Sequence, residues 1–189
     1  MKLGWEAPAN VIYTAYSFLC HQLPERSYFL FGPKISYSLQ EIQQVYVDTL
    51  DPLILRKFIG VPELGWKVAW SDRMVSMYSS ILPAAWLFSA IGRRLKPLPL
   101  VGVMLFAAPM VIDGFSHLIS DLAGVEQGFR QNNLWLVKLT AGIFPSDFYV
   151  GNSWGSLNAW MRLITGALFG AGLTWYFFSF PKFDTLPKL

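Results

Sequence analysis

The stretch FAAPMVIDGFSHLI, residues 106–119, is apolar enough for lipid yet carries Asp113, with His117 four residues later. On a helix, residues four apart share a face, so an acid and an imidazole point the same way. A second apolar run holds Arg162, with Asn158 four residues before it. A charge at the centre of a spanning helix costs about 2.5–3.5 kcal/mol on insertion scales. Asp113 and Arg162 fall at similar depths on neighbouring antiparallel spans, and pairing offsets part of that cost. The spacing therefore predicts an Asp113–Arg162 ion pair. His21 and Arg26, flanking Glu25, follow the first apolar segment, while Asp72, Arg73 and Tyr78 open the next. Together these residues predict a polar cluster at the outer ends of the helices. Such a cluster either fixes helix register, as buried pairs do, or holds a small anion, a lipid headgroup or a metal.

Tests for more specific chemistry are negative. There is no nucleophile elbow or Ser/His/Asp order, and no phosphate-binding lysine loop. The single cysteine, Cys20, excludes an internal disulfide. Cys20 and His21, with His117 and the nearby Met74 and Met77, are too sparse a set for a metal site. The reading is therefore no cofactor, no metal and no catalytic set. The formal charge of +3, with no basic run interleaved with aromatics, excludes nucleic acid as a partner.

The elements that position the cluster follow from composition. Hydrophobic residues make up 53% of the chain and charged residues 14%. A soluble domain carries about 25% charged residues, so the class is an all-α integral membrane protein, one domain over residues 1–189. Crossing the hydrocarbon takes about 20 apolar residues. Residues 74–92, 98–119 and 159–180 qualify. Residues 7–22 make a shorter fourth span if Trp5 and His21 lie at the interfaces, and they read as a retained helix rather than a signal peptide. The short connection RRLKP, 93–97, carries three cations and no acid, which places it and both termini in the cytoplasm of a cell membrane.

Both outer connections carry helix signals. SLQE at 38–41 is a capping box, and it predicts an interfacial helix over 39–58, bent at Pro52. NNLWLVKLTAGI at 132–143 predicts a second, capped by Asn132 or Asn133. The expected architecture is a four-span bundle with short interfacial helices. Gly166 and Gly170 form a small-residue seam that permits close helix contact, inside the bundle or with another protein.

Three blocks carry a resemblance: LCHQLPERS at 19–27, PMVIDG at 109–114, and Asn158 followed by RLITGALFG at 162–170. In this order they resemble the small predicted membrane proteins of the domain-of-unknown-function 2085 family. That family's block heading the second span aligns with SDRMVSMYSS, residues 71–80, where Ser71 and Met74 replace its two cysteines. The resemblance implies a helical membrane fold and site positions at His21, Arg26, Ser27, Arg73, Tyr78, Asp113, Gly114, Asn158, Arg162 and Gly166. It implies no reaction.

The functional expectation is a non-catalytic accessory subunit of a larger membrane complex, in contact with lipids and other membrane-protein subunits, whose polar cluster fixes helix packing. The alternative is a membrane protein or enzyme that binds a small molecule, a lipid headgroup or a metal in that cluster.

Overall fold

Apolar runs interrupted by Pro, Gly and Asn become long helices joined by a short-element region. The computed structural model describes residues 4–92, 95–125 and 127–183. Arg93 and Arg94 of the cationic connection, and the C-terminal residues from Asp184 onward, lie outside these. In chain order the helices are α1 (Glu6–Tyr16), α2 (Leu39–Gln43), α3 (Pro52–Leu55), α4 (Asp72–Ile91), α5 (Leu100–Asp121), α6 (Phe129–Asn132), α7 (Leu134–Leu139), α8 (Ser146–Tyr149) and α9 (Leu157–Phe183). Three strands, β1 (Ser27–Leu30), β2 (Gly60–Val61) and β3 (Gly65–Ser71), form an antiparallel sheet in the order β1-β3-β2. The chain divides into two compact units: Met1–Asp72 with Ser116–Trp160, and Arg73–Phe115 with Met161–Leu189.

The first unit corrects the all-α expectation, because it contains the sheet. β3, GWKVAWS, alternates with period two, as a half-buried strand should. Its buried face is Gly65, Lys67, Ala69 and Ser71, while Trp66, Val68 and Trp70 are half-buried. Gly65 has φ +81°, and a Cβ there would lie 2.4 Å from the Leu30 carbonyl oxygen, so only glycine fits this strand junction. Two small cores complete the unit. Leu23, Leu39, Leu55 and Val125 form one. Phe29, Tyr37, Ile42 and Phe58 form the other, with Phe29 edge-on to Tyr37 at 5.0 Å.

The fourth span is not shown: among the described residues, two helices, α4 and α5, pass as long and apolar enough to cross a bilayer. α1 has 11 residues, about 17 Å at helical rise, roughly half the hydrocarbon thickness. Its end is fixed by Arg56, whose Nη2 donates to the Ser17 carbonyl at 2.6 Å, satisfying an orphan acceptor of the last turn. The expected helix over 39–58 is two short ones. Ser38 and Glu41 do form the reciprocal capping box, but Asp51 is held extended before Pro52 and caps a new helix by accepting from the Leu53 amide at 2.8 Å. The segment 132–143 is likewise divided at Asn133, which is left-handed with φ +43°.

The second unit contains helices suited to lipid. α4 and α5 have 20 and 22 residues and window hydropathies of 1.4 and 1.6, and only 6% and 17% of those windows is buried. The core helix of a soluble protein would be buried, whereas here Leu82, Trp86, Met104, Leu105 and Ile112 face outward. Both helices are long and apolar enough to cross a bilayer. Glycines bring α9 onto α4. A Cβ at Gly166 would lie 2.6 Å from the Arg73 carbonyl oxygen, and one at Gly170 would lie 2.3 Å from that of Met77. Ser76 Oγ donates across the same contact to the Leu163 carbonyl at 2.5 Å.

Candidate functional site

The polar residues separate by unit. In the second unit, Asp113 is 3% exposed and accepts from Arg73 Nη2 at 2.6 Å. The neighbouring Gly114 makes room for that guanidinium: a Cβ there would lie 2.9 Å from Arg73 Nη1. Arg73 is thus bounded by Gly114 of α5 on its side chain and by Gly166 of α9 on its backbone. Arg162 stands one turn before Gly166 and is 2% exposed. Tyr78 is half-buried on α4. Arg73, which opens the adjacent apolar run and belongs to the expected cluster, is thus a partner of Asp113, where the spacing pointed to Arg162.

In the first unit, Arg26 makes a two-pronged bond to Asp121, 2.7 Å from each Nη to its oxygen. Glu25 lies 3.7 Å from Arg26 Nε. Burial disfavours the guanidinium charge, but the Asp121 bond and the charges of Glu25, Asp121 and Asp72 outweigh it and hold the pKa above its ordinary value. His117, 5% exposed, presents Nε2 to Arg130 Nη2 at 3.2 Å. Asn158 is fully buried, and its Nδ2 donates to the carbonyls of Arg130 at 2.7 Å and Gly151 at 2.8 Å. Arg26, His117 and Asn158 line one small polar cavity with Ser120, Asp121 and Arg130. Its volume is ≈ 10 Å³, the space of about one water molecule.

His21 is outside this cavity. It is exposed, and its Nδ1 accepts from the Leu23 amide at 3.0 Å. Cys20 is buried, and its sulfur accepts from the Ser71 amide at 3.3 Å. Adjacent in sequence, the two face opposite environments and do not form a joint ligand set. Among the described residues no group of three or more His, Cys, Asp or Glu is placed to hold a metal ion.

Several residues were not visible from sequence. Asp121 ends α5 and Arg130 lies in the four-residue α6, and only the fold brings them to Arg26 and His117. Lys67, 2% exposed, donates from Nζ to the carbonyls of Gln22 at 2.7 Å and Arg56 at 3.0 Å. Burial pushes its pKa down to about 7, against the opposing pull of Glu25 and Cys20. The visible signal was the alternation in GWKVAWS, which places a lysine in phase with Ala69 and Ser71.

These side chains hold backbone carbonyls. Asn158, Asn133, Gln22 and Lys67 each donate to two backbone oxygens, at separations from 3 to 47 residues. The arrangement satisfies irregular backbone and ties loops together.

Comparison with known proteins agrees with the apolar helices. The family model described as "Predicted membrane protein (DUF2085)" matches residues 63–176. The chain belongs to that family. The match covers Arg73, Tyr78, Asp113, Asn158 and Arg162 and begins after LCHQLPERS, so that first block remains a resemblance. An uncharacterized protein of Methanocaldococcus jannaschii is 34% identical over 55 residues, which is 29% of this chain and 35% of that protein. The chain therefore aligns with about a third of the length of this curated relative. No solved structure matches.

Proposed function

We propose that this membrane protein is a non-catalytic accessory subunit of a larger membrane assembly, its buried polar groups fixing how the chain packs. The observation that carries this reading is α7 and the turn after it. α7 buries none of its residues, and Leu134, Trp135, Leu139, Ile143 and Phe144 are 47–78% exposed. A helix of six residues cannot cross a bilayer, so this apolar surface rests on lipid or on another protein. Phe129, Leu134 and Trp135 line a wide, shallow depression beside it, and contiguous exposed apolar surface of this kind marks a protein or membrane contact; we take the occupant to be a protein.

In this reading α4, α5 and α9 cross a cell membrane with the 93–97 connection in the cytoplasm, and α1 lies at the interface. The alternative, a small-molecule, headgroup or metal site in the polar cluster, draws support from the buried Arg26, His117 and Asn158. The cavity they line has room for a water and not for a headgroup. The deciding experiment is mild-detergent purification from native membranes, comparing wild type with Leu139→Lys. Wild type should co-migrate with defined membrane proteins, and the variant should insert and melt normally but leave them. A wild-type chain that purifies alone rules against the subunit reading.

A further inference from the structure

A second concavity in the first unit, of ≈ 270 Å³, shares Gln131 and Asn152 with the wall of the small polar cavity and is otherwise lined by different residues. Six stretches build it: the turn at Glu25, the start of α2, the turn at Val125, α6, α8 and the loop entering α9. Leu39 and Val125, both in one of the small cores, contribute apolar wall. Three features define what it can hold. None of the described lining residues is a cation, while Glu25 and Asp147 are acids. Phosphate, sulfate and carboxylate groups are therefore disfavoured by like charge. Next, Gln40, Gln131 and Asn152 put three side-chain amides on the wall. An amide offers both a donor and an acceptor, which matches a hydroxyl group, itself both at once. Last, Trp154 stands at the pocket 48% exposed. Its ring is braced by Trp160 at 5.8 Å and Tyr28 at 6.0 Å, giving a fixed apolar plate.

We propose that this pocket binds a neutral hexose unit, presented as a free saccharide or as the headgroup of a glycolipid. The Asp147 carboxylate and the amides of Gln40 and Gln131 take the hydroxyls, and Trp154 takes the apolar C–H face of the ring. The volume lies near the lower edge of ordinary ligand sites, so it fits one ring rather than a chain. The inference goes beyond the accessory-subunit reading and does not depend on it.

The test uses the full chain in phosphatidylcholine nanodiscs, with saturation-transfer NMR and titration calorimetry against glucose and galactose. A parallel arm compares nanodiscs containing glucosyl diacylglycerol with plain ones by native mass spectrometry. Saturable binding of a free hexose identifies a soluble ligand, and retention of the glycolipid alone identifies a headgroup. In either case Trp154→Ala and Gln40→Leu should weaken binding at least about tenfold, Gln40→Leu with its thermal melt unchanged, and Trp154→Phe should recover most of the loss at Trp154. The proposal is overturned if neither sugar source binds. It is equally overturned if spermidine or inorganic phosphate binds in their place, or if binding ignores both Trp154→Ala and Gln40→Leu.

Discussion

The two units bury polar groups for opposite reasons. In the unit of α4, α5 and α9, helical backbone satisfies itself, as it must in lipid. Side chains there are free to be small, and glycine allows backbone to meet backbone at Gly166 and Gly170. Its charged contact, Arg73 on Asp113, is a direct ion pair. The other unit is built of short helices, loops and a three-stranded sheet. Its irregular backbone leaves carbonyls that no ladder uses, and Asn133, Asn158, Gln22 and Lys67 supply the missing donors. A buried polar side chain thus means packing economy in one unit and backbone repair in the other.

Breaking the glycine contact should do the most harm. Gly170→Leu puts a branched side chain where even a Cβ meets the Met77 carbonyl at 2.3 Å. Helix backbone cannot yield as a side chain would, so overpacking here exceeds the usual range of about 1–3 kcal/mol. The expected outcome is a chain that inserts but shows no cooperative melt in detergent. A normal melt would mean that α9 can move off α4 at little cost. Next in size is the ion pair. Arg73→Gln or Asp113→Asn strands a buried charge, at about 3–5 kcal/mol. The double mutant should cost less than the sum. Running the same cycle with Arg162→Gln measures whether Asp113 is shared between the two arginines, as the spacing of residues 113 and 162 first implied.

The contrast explains what could be read from the sequence. Long apolar runs at 74–92, 98–119 and 159–180 became α4, α5 and α9, because hydrophobicity over some twenty residues is a signal independent of partners. The capping box at Ser38 and Glu41 was legible because its partners lie three residues apart. The sheet was not. β1 is four residues long, and β3 buries Lys67 and Ser71 while its two tryptophans stay half-buried, the reverse of the usual pattern. Within the candidate cluster, Asp113, His117, Asn158 and Arg162 stood out as polar residues in apolar surroundings. Asp121 and Arg130 did not, because a charge beside a loop looks solvated until a tertiary partner is known. His21 misled for the complementary reason: its neighbours suggested a site, and its ring turned back to its own chain.

For the loop-rich unit the corresponding experiment is Asn158→Leu. It removes both donors from the carbonyls of Arg130 and Gly151 without changing charge. The Gly151 carbonyl is left open, at about 1–3 kcal/mol, while the Arg130 carbonyl keeps its bond from Asn133 Nδ2. Hydrogen exchange should then rise through residues 129–132 and 151–158 while α4 stays protected. If α4 loosened equally, the two compact units would not unfold separately.

The smallest effect is a pH dependence confined to the loop-rich unit, and it comes from Lys67. Its amine is buried, faces Glu25, Cys20 and Arg56, and has its pKa lowered from the usual 10.5 to about 7, by burial first. The unfolded chain therefore holds a proton on this amine between about pH 7 and 10.5 that the folded chain has released. Stability contributed by the group rises with pH wherever the unfolded state binds more protons. From pH 7 upward the unit should gain about 1.4 kcal/mol per pH unit, until other groups titrate, and below pH 7 this contribution should be flat. Lys67→Met keeps the length of the side chain and removes the titration, at the expense of two hydrogen bonds to the Gln22 and Arg56 carbonyls. Chemical denaturation between pH 7 and 9 should therefore show a rising midpoint for wild type and a level one for Lys67→Met. Parallel slopes would mean that Lys67 stays charged in the fold, held by those two carbonyls and Glu25. The backbone-repair role would then rest on a full ammonium rather than on a neutral amine.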